Sequence, residues 1–232
     1  NPEFFYRALQ VYYHYPWHAL WRGVEAMALA RITLTPPVLD IGCGDGLFAL
    51  LLTADSIERD FDDFRVYHGR IDASNRCYSL ERPLDVGLDI HWPSLRKASA
   101  LHAYRLAICA DASRLPFRSE GFSTVLGNSS VEHMPPVQEV LAETWRVLKP
   151  GGRLVLTVPT KMLGQHLFFS RIFARCGLPT WARRYADTVN RGLAHYHLLD
   201  VDEWRRKLTA AGFSEFSCEY VLSSRAVATW DL

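Results

Sequence analysis

The apolar positions of this chain change their period along its length, and the changes predict alternating helices and strands. Residues 17–32 repeat at helical spacing behind Pro16, and Pro36-Pro37 closes that segment. A short apolar run at 38–41 predicts a buried strand, three alternating glycines make a turn, and 47–52 resumes as an apolar helix. Residues 53–83 are polar and without a sustained period, which predicts an insertion within one fold. Beyond it come a strand at 85–90, a helix opened by Pro93 and running to about 101, and strands at 105–109 and 122–126. A helix at 136–148 ends in Lys149-Pro150-Gly151-Gly152, and 153–158 is apolar enough for a fifth buried strand. Further helical stretches fall near 164–176 and 200–211, and 213–222 with 225–229 read as a terminal strand pair around Ser223-Ser224.

Strands alternating with helices predict an α/β fold with a doubly wound, mostly parallel sheet and right-handed crossovers. The expected organisation is an aromatic helical cap over 1–36 and a ligand-binding domain over 37–232, with elements facing an acceptor at about 160–200.

Composition narrows the function classes. A net charge of +1 leaves no global field to draw the chain onto nucleic acid or an anionic membrane. No run reaches the roughly 20 apolar residues of a membrane span, and no signal peptide is visible. Five cysteines without a C-x-x-C pair fit a reducing, cytoplasmic setting, with Cys43 and Cys109 expected as small buried residues.

The chemistry concentrates at strand ends. In Asp40-Ile-Gly42-Cys43-Gly44-Asp45-Gly46 the third glycine comes one residue too early for a pyrophosphate-binding G-x-G-x-x-G turn, and Asp45 would repel a phosphate. Asp89 ends a clean apolar strand, although it lies about twice the roughly 20 residues beyond the turn at which such an acid is usual. Asp62, Asp63 and Asp72 are nearer but follow no strand. Asp111 with Ala112 follows the third strand, where the acid could equally cap a turn. Asn128, Ser129, Glu132 and His133 follow the fourth.

These strings, with Leu115-Pro-Phe117 and Arg146-Val-Leu-Lys-Pro-Gly-Gly152, resemble the ordered motifs of class I S-adenosylmethionine-dependent methyltransferases of the type-11 group. The resemblance spans about 38–213 and implies a seven-stranded sheet with an antiparallel last strand. It implies S-adenosylmethionine as cofactor, with S-adenosylhomocysteine as product, held by Asp40, Gly42, Cys43, Gly44, Gly46, Asp89, Ile90, Asp111, Ala112, Asn128 and Ser129. Asp40 would meet the ligand's ammonium group directly or through water, Asp89 its ribose and Asp111 its adenine.

The acceptor would be a small molecule, aromatic or apolar, methylated on O, N or C. A methyltransferase fold that only binds its ligand or serves as a partner subunit is the alternative, and the glycine spacing argues against a nucleotide-dependent oxidoreductase. His133, His195 and His197 are candidate general bases, and Tyr12, Tyr13, His195, Tyr196 and His197 candidate acceptor contacts, with each histidine equally open to a structural role. The aromatic N-terminus reads either as a lid over the cofactor or as the buried face of a helix. Some quinone-pathway members hold a divalent metal with Glu-x-x-Glu-His. Here Ser129 occupies the first position, so no metal is expected.

Overall fold

A computed structural model describes residues 2–58, 61, 78–80 and 82–232. In chain order the elements are α1 (Pro2–Val11), α2 (Pro16–Leu29), β1 (Val38–Ile41), α3 (Leu47–Thr53), β2 (Ser56–Ile57), β3 (Tyr78–Ser79), β4 (Leu84–Asp89), α4 (Trp92–Leu101) and β5 (Tyr104–Cys109). Then follow β6 (Phe122–Asn128), a 3-10 turn (Val131–His133), α5 (Val137–Val147), β7 (Leu148–Thr157), α6 (Leu163–His166), α7 (Phe168–Arg175), α8 (Pro179–Gly192), α9 (Val201–Ala210) and α10 (Ser224–Trp230).

Five parallel strands form the sheet in the order β5-β4-β1-β6-β7. The chain winds outward from β1 to β5, then returns to the other side of β1 for β6 and β7. Doubly wound folds place ligands in a crevice at such a reversal, which here falls at the carboxyl ends of β1, β4 and β6.

Alternation along the strands divides the core. Val38, Leu84, Tyr104 and Leu126 face α1 to α4, joining Ala8, Val11, Ala26, Leu47, Leu50, Leu95 and Ala98. Leu39, Ile41, Leu88 and Val125 face the other way, onto Val137, Val140, Leu141 and Val147 of α5 and Trp204 of α9. The N-terminal helices therefore share one core with the sheet. Among the described residues, no helix is long and apolar enough to cross a membrane.

The sheet has five strands, and the sequence expectation of seven with an antiparallel last strand is corrected. Residues 213–222 are irregular, and the apolar Phe213, Phe216 and Tyr220 recur at three and four rather than two. Phe216 lies under the Arg205 guanidinium at 5.2 Å, away from the sheet. An open cavity of about 1550 Å³ separates this segment from β7. The expected strand at 225–229 is part of α10, because the Ser223 hydroxyl accepts the Ala226 N–H at 3.2 Å and starts a helix. The Lys149–Gly152 turn is a bulge inside β7, whose register against β6 jumps from Phe122↔Leu148 to Thr124↔Arg153.

Cys109, expected inside, is exposed at the end of the edge strand β5, whereas Cys43 is buried. Of the expected 53–83 insertion, residues 53–58, 61, 78–80 and 82–83 are described, and β2 and β3 pair antiparallel. Asp62, Asp63, Asp72 and Cys77 lie outside the described residues.

Replacing Ser223 by Ala removes the α10 cap and is expected to lower stability by about 1 kcal/mol in chemical denaturation, while Ser223→Asp keeps it. Equal stability of parent and both variants would contradict the helical assignment.

Candidate active site

The glycine turn is fastened to the end of β4. The Leu88 carbonyl accepts both Gly42 N–H (2.7 Å) and Cys43 N–H (3.0 Å), and the Gly44 N–H donates to Asp89 Oδ2 at 2.8 Å. Gly44 and Gly46 hold φ of +57° and +80°, a region that favours glycine. A Cβ on Gly46 would stand 2.9 Å from Ala98 Cα, so this glycine lets α4 approach, whereas one on Gly44 would meet nothing within 4 Å. Gly44 is the open side of the turn. Asp45 Oδ1 accepts the Leu47 N–H at 3.2 Å and keeps a carboxylate at the start of α3, where a phosphate would otherwise bind.

Asp40 lies beneath the turn, 3% exposed, and accepts the Tyr104 hydroxyl at 2.7 Å. Burial pushes its carboxyl up to about 7 in spite of that hydrogen bond. In this position it supports the turn from inside the core. Asp89 is better exposed, and its Oδ1 accepts the His91 N–H at 2.7 Å. Ile90 beside it is 70% exposed. Asp111 takes the capping role left open by its sequence: its Oδ1 accepts the Ser113 N–H at 2.8 Å, which holds its carboxyl below the usual range. Ala112 is buried.

Asn128 and Ser129 at the end of β6 meet a residue that sequence reasoning missed. Glu25 of α2 is 3% exposed. Its Oε1 accepts the Ser129 hydroxyl (2.6 Å) and the Trp21 indole N–H (3.0 Å), and its Oε2 accepts Arg22 (2.7 Å) and the Asn128 amide (3.3 Å). The Thr157 hydroxyl donates to Asn128 Oδ1 at 2.7 Å and accepts the Ser129 N–H at 3.0 Å. One carboxylate thus binds the N-terminal cap to the ends of β6 and β7. The available signal was an acid amid the buried positions Ala19, Gly23, Ala26 and Leu29 of α2.

Of the aromatic cap, Tyr12 is buried, and Tyr13 is 71% exposed with its ring edge-on to His14. Tyr12 is thus part of the core, while Tyr13 faces outward.

The structure brings His133 and His195 together and leaves His197 apart. The rings of His133 and His195 stack at 5.2 Å and 29°. His133 Nε2 lies 3.7 Å from Glu132 Oε1. Burial, together with the neighbouring His133, holds His195 down to about 4, and burial lifts the Glu132 carboxyl to about 8. His197 Nε2 instead points at the carbonyls of Met134 and Pro135, both at 3.0 Å, contacts that brace the loop. Tyr196 is 62% exposed, and its N–H, with that of His197, donates to the Glu132 carbonyl.

A doubly wound sheet with this glycine turn and strand-end acids defines a class, and comparison with known proteins gives the family. The model of a methyltransferase domain family matches residues 14–215, and the chain belongs to that family. It is similar to 27-O-demethylrifamycin SV methyltransferase of Amycolatopsis mediterranei, 33% identical over 48% of this chain and 36% of that protein. Demethylmenaquinone methyltransferase of Thermobifida fusca is 30% identical over 51% of this chain and 52% of that one. The biotin biosynthesis bifunctional protein of Saccharophagus degradans is 27% identical over 76% of this chain but only 26% of its own length. The chain therefore spans between about a quarter and a half of these three relatives.

Among solved structures, an S-adenosylmethionine-dependent methyltransferase of Thermotoga maritima superposes with a TM-score of 0.55 at 16% identity, over 90% of this chain and 82% of that one. The likeness is one of fold.

Asp40 gives stability a pH dependence. A carboxyl that holds its proton more tightly when folded adds stability that is full below its unfolded pKa, about 3.9, and lost as pH rises through the folded value. Stability is expected to fall between pH 4 and about 7. Asp40→Asn, which still accepts the Tyr104 hydroxyl, flattens that slope. Urea midpoints across this range check it, and an unchanged slope in the variant refutes the assignment.

Proposed function

We propose that this chain binds S-adenosylmethionine in the crevice at the ends of β1, β4 and β6 and transfers its methyl group to a small-molecule acceptor. The observation that carries the reading is the Gly44 N–H to Asp89 hydrogen bond beside the open face of Gly44. It leaves a strand-end carboxylate and a turn without side chains facing the same space, which fits a ligand with ribose hydroxyls and no phosphate. Asp89 would accept from the ribose, Ile90 cover the adenosine, Gly42 and Gly44 line the methionine portion, and Ala112 offer its N–H at the adenine. Asn128 and Ser129 would lie beside the transferred methyl.

When bound, the cofactor supplies an electrophilic methyl group on a sulfonium. The protein's share is alignment and the exclusion of water. Helix α2, tied down through Glu25, closes one side of the crevice. The Glu132–His133–His195 cluster, a few residues beyond Ser129, is where we place the acceptor's nucleophile. The relatives named for rifamycin and demethylmenaquinone methylation support a small-molecule acceptor. The balanced charge supports neither nucleic acid nor an anionic surface as partner. The free, exposed Cys109, Cys176 and Cys218 suit a reducing, cytoplasmic setting.

Calorimetry with S-adenosylmethionine, S-adenosylhomocysteine and a nicotinamide dinucleotide tests the cofactor. Binding of the first two and not the third is expected, with affinity reduced at least about tenfold in Asp89→Ala, the size of one lost charge-assisted hydrogen bond. Preference for the dinucleotide, or indifference to Asp89, would overturn the reading. Against a panel of hydroxyl, amine and carbon acceptors, S-adenosylhomocysteine should accumulate in the parent. His133→Ala should lower kcat while leaving cofactor affinity within about twofold. Binding without turnover on any acceptor would favour a binding or partner-subunit role.

A further inference from the structure

Glu132, His133 and His195 carry more organisation than an acceptor pocket requires. Glu132 is 1% exposed, yet its Oε2 has no hydrogen-bond partner. A buried carboxyl oxygen left alone is costly, and natural sites keep such an atom for a ligand, an ion or a water. Both imidazoles turn Nδ1 toward the protein: His133 Nδ1 faces the Ala194 carbonyl at 3.0 Å and His195 Nδ1 faces Asn190 Oδ1 at 3.3 Å. Those acceptors select the tautomer that carries its proton on Nδ1 and leaves the Nε2 lone pair free, the arrangement by which outer partners orient metal-binding histidines. One donor atom from each of the three residues lies within 4.8 Å of the other two.

We propose that Glu132, His133 and His195 form a divalent transition-metal site on the acceptor side of the crevice. The expectation of no metal rested on Ser129 standing where a first glutamate would be. The fold supplies a third donor from elsewhere, His195, brought in when the Tyr196 and His197 N–H groups bind the Glu132 carbonyl. Two imidazoles and one carboxylate suit zinc, cobalt, iron or manganese better than magnesium or calcium. Donors around a zinc-sized ion stand about 3–3.5 Å apart, so the trio closes by about 1 Å on binding. Three protein ligands leave positions open for an exogenous oxygen.

What occupies them rests on the methyl-transfer reading: an acceptor hydroxyl, made more acidic by coordination. Its proton leaves to water, the oxygen bonds the methyl carbon, and the electron pair of the broken S–C bond returns to sulfur. The substrate class is thus an oxygen acceptor able to ligate an ion.

Cobalt(II) titration of the full chain, stripped with EDTA and carrying Ser at Cys109, Cys176 and Cys218, is the test. One ion per chain is expected, with visible d–d absorption that zinc abolishes by competition. His195→Ala and Glu132→Gln should each weaken binding by more than the roughly 10–100-fold typical of an outer-shell change. Tyr196→Ala should leave it within about twofold. Metal-free Glu132→Gln removes the unpaired carboxylate and should melt no lower than its parent, so lost binding is not lost folding. Cobalt should raise the parent's melting temperature and not the variant's. Absence of saturable binding, or binding that survives both substitutions, overturns the proposal. Calorimetry with S-adenosylmethionine on the same metal-free chain separates this outcome from failure of the methyl-transfer reading.

Discussion

Everything at the carboxyl end of the sheet depends on the fastening of the glycine turn to β4. Leu88 and Asp89 receive three consecutive backbone N–H groups, from Gly42, Cys43 and Gly44. This satisfies donors that would otherwise be orphaned where β1 gives way to α3. It also sets the turn in left-handed geometry with one face against α4, through Gly46, and the other open, at Gly44. The parallel register Ile41↔Leu88 makes those bonds reachable. A slip of one residue would turn Asp89 to the opposite face and leave the turn without its anchor.

Around this point the molecule buries three carboxylates and treats each differently. Glu25 is surrounded by donors and acts as the joint between the cap and the strand ends. Asp40 has the Tyr104 hydroxyl and burial enough to hold its proton near neutrality. Glu132 has an oxygen with no partner at all. Burying an acid generally costs more than burying an apolar side chain of similar volume. The convergence of all three on one end of one sheet is the electrostatic signature of a site.

The legible parts of the sequence were those where a local pattern and a local cause coincide. The glycine turn and its flanks are contiguous, so apolar run, acid and glycines specified the turn's geometry, and a second local run ending in an acid specified Asp89's strand. The helix at 136–148 ended where Lys149-Pro-Gly-Gly152 said it would, although the strand had already begun. Long-range joints were not legible. Glu25 meets Asn128 across a hundred positions, and His133 meets Ala194 and His195 across about sixty, because crossovers and loops decide who arrives there. The terminal strand pair failed for a different reason. Arg225-Ala-Val-Ala-Thr229 alternates weakly, but the Ser223 cap and adjacent burial of Val227 and Ala228 favour a helix.

The central claim is that the open face of Gly44 is the cofactor's seat, and adding one methyl group there tests it most directly. Gly44→Ala places a Cβ with no protein atom within 4 Å at a φ of +57°, so folding should lose only about 1–2 kcal/mol. Calorimetry of S-adenosylhomocysteine on parent and variant should then record a loss of affinity of at least about tenfold, the 1.4 kcal/mol expected from one misplaced methyl. Undiminished affinity in a folded Gly44→Ala protein would put the ligand elsewhere and contradict the account.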